Sequence, residues 1–166
     1  MSGKSWRWWS ARGAVAVAAL VVFVALSRLW SYATADDPAI VEQPEIVAVG
    51  SSACAHMHQA AAAAAVGRGA TVAQKVGAIN AQNDAVVGMV TQLEALGSDR
   101  LDSDQPAAEW VEDWQRLVKV RDDYARGLAS GKTKPFVVPT IDGHSLVDRL
   151  NNSGINCRVP LTLLSP

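Results

Sequence analysis

An uncharged run, Gly13–Leu26 (GAVAVAALVVFVAL), follows a basic flank of Lys4, Arg7 and Arg12. No other feature restricts the chain as much. Inside a bilayer every backbone polar group must be satisfied within its own segment, so a run of this kind is helical there. Its helix reaches about 21 Å at 1.5 Å per residue, short of a hydrocarbon core of about 30 Å. Continuing through Arg28, Trp30 and Tyr32 brings the length to about 30 Å, provided Arg28 snorkels to the outer interface. Trp6, Trp8 and Trp9 on one side, with Trp30 and Tyr32 on the other, suit interfacial belts. The expectation is a signal-anchor over residues 13–33 that contacts the lipid bilayer, with residues 1–12 in the cytoplasm. The same stretch also reads as a cleavable signal peptide, because Ala33-Thr34-Ala35 meets the small-x-small rule. Either reading puts residues 36 onward outside the cytoplasm. Cleavage after Ala35 would make the protein secreted. Cys54 lies too far beyond the run for a lipoprotein anchor.

Charge agrees with that orientation. Residues 1–35 carry four basic side chains and no acid, whereas the whole chain has a net charge of −1. The remainder is therefore mildly acidic. A clustered basic face, the mark of nucleic-acid binding, is missing from it.

Two cysteines are present, Cys54 and Cys157. Outside the cytoplasm an even pair reads as one disulfide; two separate buried thiols are the alternative. The spacing is not CxxC, which argues against a redox-active or zinc-knuckle motif. A bridge here would close a loop of about a hundred residues and contribute about 4–5 kcal/mol in the chain-entropy account. It would also pin the C-terminal tail to the start of the helical body.

Residues 34–50 contain two prolines and several acids and read as a stalk. Ser51 or Ser52 offers an N-cap for a first helix through the alanine block Ala60–Ala65, with Gly67 and Gly69 marking its stop. From Thr71 to Leu96, Val72, Val76, Ile79, Asn83, Val86, Val90 and Leu93 alternate spacings of four and three, a heptad-like seam. A third helix opens around Asp102–Pro106, with Ser103 or Asp104 as cap, and ends near Ser130-Gly131. Its apolar series is Trp110, Trp114, Leu117, Tyr124 and Leu128, with Arg121 in the remaining place. Lys132–Thr140 reads as an extended connection, Asp142 as the cap of a short fourth helix, and residues 155–166 as a tail lying back along the bundle.

The fold class expected is all-α: one transmembrane helix, then an extracytoplasmic domain over residues 51–166. That domain comprises about three long helices, a short fourth and an extended tail held by a disulfide.

Candidate chemistry is sparse. His56 and His58, two apart on a helix, point about 200° apart from the 3.6-residue turn and do not share a face; His144 could join them only through the fold. Glu109 and Asp113 share a face, but their neighbours are helical salt-bridge partners, as are those of Asp122 and Asp123. Asn151-Asn152-Ser153 matches a glycosylation sequon. No GxSxG, Walker, dinucleotide-binding or HExxH motif occurs. No catalytic, cofactor-binding or metal-binding residue is assigned. Asn83 and Arg121 interrupt otherwise apolar seams, so the expectation is that their helices pack antiparallel and each polar head finds a partner at the contact. Trp110 and Trp114, one turn apart, read as core, or as an interaction surface for a ligand, lipid or partner.

The alanine- and valine-rich composition and the anchor-plus-helical-domain layout resemble exported, membrane-anchored helical proteins of actinobacteria. The phrases NAQNDAVVGMVTQLEALG, AEWVEDWQRLVKVRDDYARGL and CRVPLTLL carry the resemblance. It implies location and no particular activity. The expected function is binding, as an accessory subunit or scaffold with a membrane or envelope protein partner. The alternative is a small-ligand or lipid-binding domain using the Trp110/Trp114 side.

Overall fold

The computed structural model describes residues 20–27, 40–132 and 134–166. The chain divides into two units, Met1–Pro38 and Ala39–Pro166. In the first, residues 20–27 are helical and Leu20, Val21, Val22, Phe23, Val24 and Leu26 are exposed. The rest of the expected anchor, residues 13–33, and the candidate cleavage site at Ala35 lie outside the described residues. Among the described residues, no helix is long and apolar enough to cross a membrane.

The second unit is a bundle of three long helices: α1 (Pro44–Ala63), α2 (Val72–Glu94) and, after the short α3 (Ser98–Asp102), α4 (Gln105–Ala129). The all-α expectation holds for it, apart from one hairpin of two two-residue strands.

Helix α1 starts at Pro44, seven residues before the expected serine cap, so the expected stalk is corrected over residues 40–50, while residues 34–39 lie outside the described residues. Pro44 occupies the first turn, where its missing N–H costs nothing. The entering N–H groups of Glu42 and Gln43 both donate to Asp104 Oδ2, at 3.0 and 2.9 Å. Ile46 and Gly50 are buried, and a Cβ at position 50 would stand 3.2 Å from Ile155, so the helix is drawn close against the tail here. Just upstream, buried Val41 donates its N–H to Ser153 O at 2.8 Å. Residues 40–50 therefore belong to the domain.

Helix α2 begins with a reciprocal capping box between Thr71 and Gln74. It runs antiparallel to α1: Gln82 donates to Ala61 O at one end, and Gly50 approaches Leu93 at the other. It is antiparallel to α4 as well, with Asn83 beside Arg121 and Glu94 beside Gln115. A helix with two neighbours needs two apolar faces, so Ala78, Gln82 and Met89 are buried in addition to the seam from Ile79 to Leu93. Val72, at the seam's start, is exposed. On α4, Tyr124 and Leu128 are only half-buried, and Tyr124 packs edge-on to Phe136 at 5.5 Å.

Beyond α4 the chain forms an antiparallel hairpin, β1 (Thr140–Ile141) and β2 (His144–Ser145), turned by Asp142 and Gly143, both with positive φ. Asp142 is thus a turn residue and not a helix cap. Helices α5 (Leu146–Asn151) and α6 (Leu161–Leu164) follow, so the expected extended tail ends in a helical turn. Leu146, Leu150 and Leu163 are fully buried with Ile46, Met57, Val86, Leu93, Trp114 and Leu117.

Candidate functional site

Cys54 on α1 and Cys157 in the tail form a disulfide, with Cα atoms 5.6 Å apart and both residues buried. One turn further along α1, His58 shares the face of Cys54. Its Nε2 lies 2.7 Å from Arg158 O. A carbonyl only accepts, so Nε2 carries a proton, and in the neutral ring Nδ1 is the nitrogen with the lone pair. The ligand-capable atoms of Cys54, His58 and Cys157 all lie within 4.8 Å of one another. Met89 Sδ, from α2, stands 3.9 Å from Cys157 Sγ. With the cysteines oxidised this is a contact between sulfurs, since neither carries a hydrogen. Three elements thus meet at one soft, buried cluster.

The histidine spacing considered from sequence does not make this cluster: His56 is exposed and diverges from His58, and His144 is exposed in the hairpin. The pair that matters is Cys54 and His58, four apart. Its sequence signal is the i,i+4 spacing of a cysteine and a histidine on one helix face.

Asn83 and Arg121 are both buried at the α2–α4 contact, as expected. Arg121 Nε donates to Asn83 Oδ1 at 2.7 Å; its other nitrogens donate to Gln82 Oε1 and to Leu163 O. Asn83 Nδ2 donates to Asp122 Oδ1. Burial pushes the Arg121 pKa down to about 10, and the negative charge of Asp122 acts the other way. The guanidinium thereby ties α2, α4 and the tail helix at one point.

The acids of α4 are structural too. Asp113, 2% exposed, accepts from Arg149 Nε at 2.7 Å and from Arg116. The helical salt-bridge partner expected for it is found in Arg116, and α5 also covers it, with Arg149 reaching Glu109 as well. The hydrogen bond to Asp113 raises the Arg149 pKa above its ordinary value against the effect of desolvation. Asp123 stays exposed; the Lys119 hydrogen bond, then that of Arg126, hold its carboxyl below the usual range. Asp104 stands at the α4 N-cap position but makes no side-chain cap there, because its carboxylate is taken by α1. In the sequon, Asn151 Oδ1 accepts the Val159 N–H at 2.8 Å and Ser153 is buried.

Trp110 and Trp114 are interior, 2% and 0% exposed, packed edge-to-face with centroids 5.9 Å apart. Trp110 Nε1 donates to Leu150 O, docking α5. The interaction surface considered for this pair is therefore corrected to core, since their spacing continues the apolar series that faces α5 and α2. A surface depression of about 230 Å³ lies elsewhere, at the α1–α2 turn. Arg68, Lys75, Ile79, Gln82 and Thr162 are among the residues that line it; Thr162 Oγ1 is buried with no hydrogen-bond partner among the described residues.

No protein-family model, curated protein or solved structure matches this chain.

Proposed function

We propose that this protein is a membrane-anchored helical module that works outside the cytoplasm by binding a membrane or envelope protein. The Cys54–Cys157 bridge carries the reading, because a buried disulfide between distant segments suits an oxidising compartment. Two further features support it. The helical residues 20–27 expose a continuous apolar surface, of the kind lipid would cover. The buried ionic groups Asp104, Asp113 and Arg121 are each engaged in joining one element to another, as befits a scaffold.

Fractionation of native cells tests location. The chain should sediment with membranes, resist carbonate extraction, and show both thiols blocked to alkylation until reduced. A soluble cytosolic chain with two freely alkylated thiols would overturn the proposal. Crosslinking in the native membrane before mild-detergent purification tests the partner: a discrete heavier species is expected, and monomer alone at native expression would refute that part.

A second reading, binding of a small anion with an apolar tail, rests on the depression at the α1–α2 turn. There two cationic side chains, Arg68 and Lys75, line one opening with the apolar groups of Ala65, Val66 and Ile79. Equilibrium dialysis with a medium-chain carboxylate should show one site per chain that Arg68→Ala and Lys75→Ala together abolish. Binding unaffected by both changes would exclude this site.

A further inference from the structure

We infer that the disulfide cluster is a latent metal site: once reduced, Cys54, Cys157, His58 and Met89 form a buried pocket for one soft monovalent cation, Cu(I). The donors arrive already grouped. Cys54 and His58 project from one face of α1, Cys157 comes from the tail, and their ligand-capable atoms lie within 4.8 Å of one another. Met89 brings a thioether to 3.9 Å from Cys157 Sγ. All but His58 are at most 2% exposed.

The imidazole is prepared as metal-bound imidazoles are. A ligating histidine usually donates its other ring N–H to a carboxylate or backbone carbonyl, which fixes the tautomer and ring orientation. Here Nε2–H donates to Arg158 O at 2.7 Å, so that in the neutral ring Nδ1 is the nitrogen able to ligate. Arg158 follows Cys157 directly, so the residue that orients the histidine also positions a sulfur. Two thiolates, a thioether and an imidazole form a soft set, and such sets select Cu(I) over Mg(II), Ca(II) or Mn(II).

The switch balances chemically. A small dithiol reductant attacks one sulfur of the bridge and forms a mixed disulfide. Its second thiolate then displaces the remaining chain sulfur. The reductant leaves as a cyclic disulfide, and two chain thiols remain. Cu(I) then takes both sulfurs as thiolates and releases two protons to water. Two thiolates about 2.3 Å from a tetrahedral ion stand about 3.8 Å apart, a separation that side-chain rotation supplies once the S–S bond is broken. The bridge and the metal are thus mutually exclusive occupants of one position.

This inference does not depend on where the protein resides, because its test uses the purified full-length chain in mild detergent. The chain is reduced with dithiothreitol under argon, desalted, and titrated with Cu(I) against bicinchoninate. The reduced chain should hold one Cu(I) and the oxidised chain none. His58→Ala should weaken binding at least tenfold, and Met89→Leu should weaken Cu(I) severalfold while leaving Zn(II) affinity unchanged. Both variants keep the disulfide, so circular dichroism before reduction verifies their fold. The proposal is overturned if reduced wild type holds no more Cu(I) than Cys54→Ser/Cys157→Ser. It is equally overturned if His58→Ala binds as tightly as wild type, or if reduction unfolds the chain and Cu(I) does not restore it.

Discussion

Arg121 Nε donates to Asn83 Oδ1 at 2.7 Å, joining the middle of α4 to the middle of α2 where water does not reach. The same guanidinium reaches Leu163 O, so the helix pair and the tail share one donor. A buried charge is tolerated only when its hydrogen bonds are made. Here one charged side chain serves three acceptors from two elements, and each acceptor would be orphaned without it.

Arg121→Ala should therefore destabilise by about 3–5 kcal/mol, from lost packing and unpaired buried acceptors. Arg121→Met keeps most of the packing and should cost less. Asn83→Leu alone leaves the charge short of a partner. The double variant Asn83→Leu/Arg121→Met removes both sides of the contact and should recover part of the loss. A coupling of about 1–3 kcal/mol in a urea-denaturation cycle is expected; strict additivity would show that the contact fixes nothing.

The bridge closes a loop with a sequence separation of 103. Reducing it, or replacing both cysteines by serine, should lower unfolding free energy by about 4–5 kcal/mol in the chain-entropy account, with native-state losses altering the figure. Denaturant midpoints measured with and without dithiol check this in the absence of metal. An unchanged midpoint would mean that the bridge adds nothing to the non-covalent contacts that dock the tail, among them Arg121 with Leu163 O and His58 with Arg158 O.

Asp104 is the acceptor for both N–H groups that lead into α1. Asp104→Ala should cost about 1–2 kcal/mol, in the range of a lost N-cap. Asp104→Asn keeps an acceptor oxygen but loses the charge favoured at a helix N-terminus, so it should cost about 0.3–1 kcal/mol. Hydrogen exchange should show the loss concentrated at residues 42–46; uniform loss across the bundle would refute the local role.

The long helices were legible because their signals are local. Apolar spacing in α2 and α4, and the glycines at Gly97 and Gly131, mark their extents within a few residues. The seam residues Asn83 and Arg121 were legible for the same reason, since a polar residue in an apolar periodic run demands a partner. What escaped depends on the fold. Asp104 looks like a cap for its own helix, and only the tertiary arrangement gives its carboxylate to a helix sixty residues earlier. Residues 44–50 read as stalk because prolines and acids suggest exposure, yet Ile46 is fully buried once residues 40–50 meet the tail. The Asp142-Gly143 hairpin carried a local signal that the surrounding prolines obscured.

Asp123 provides a pH test. The Lys119 hydrogen bond, then Arg126, hold its folded pKa below the ordinary value. A depressed carboxyl pKa contributes stability above the unfolded value of about 4 that is lost as pH falls through the folded value. Asp123→Asn should remove that part of the acid limb while leaving the profile above neutrality parallel to wild type. The effect is small because the group is exposed and screened. Urea midpoints at a series of pH values check it, and an unaltered acid limb would assign the acid sensitivity to other carboxylates.

Gly154 tests how the segment entering the domain is held. Its φ is +83°, a conformation that costs an ordinary L-residue about 1–2 kcal/mol. A Cβ there would overlap Ile40 Cγ2 and stand 3.1 Å from Ile40 Cβ and 3.5 Å from Val41 N. Gly154→Ala therefore suffers both backbone strain and a clash, and should cost about 2–4 kcal/mol. The two contributions separate experimentally. Ile40 is 54% exposed, so truncating it removes little buried surface. In the Ile40→Ala background, Gly154→Ala should lose its clash with Cγ2 and retain the backbone cost of about 1–2 kcal/mol, together with the tight contact to the residue-40 Cβ at 3.1 Å. Thermal unfolding of the four chains measures the difference. Equal cost in both backgrounds would mean that residue 40 moves freely aside, while Val41 N–H on Ser153 O and the Glu42 and Gln43 N–H groups on Asp104 hold the entry of the chain.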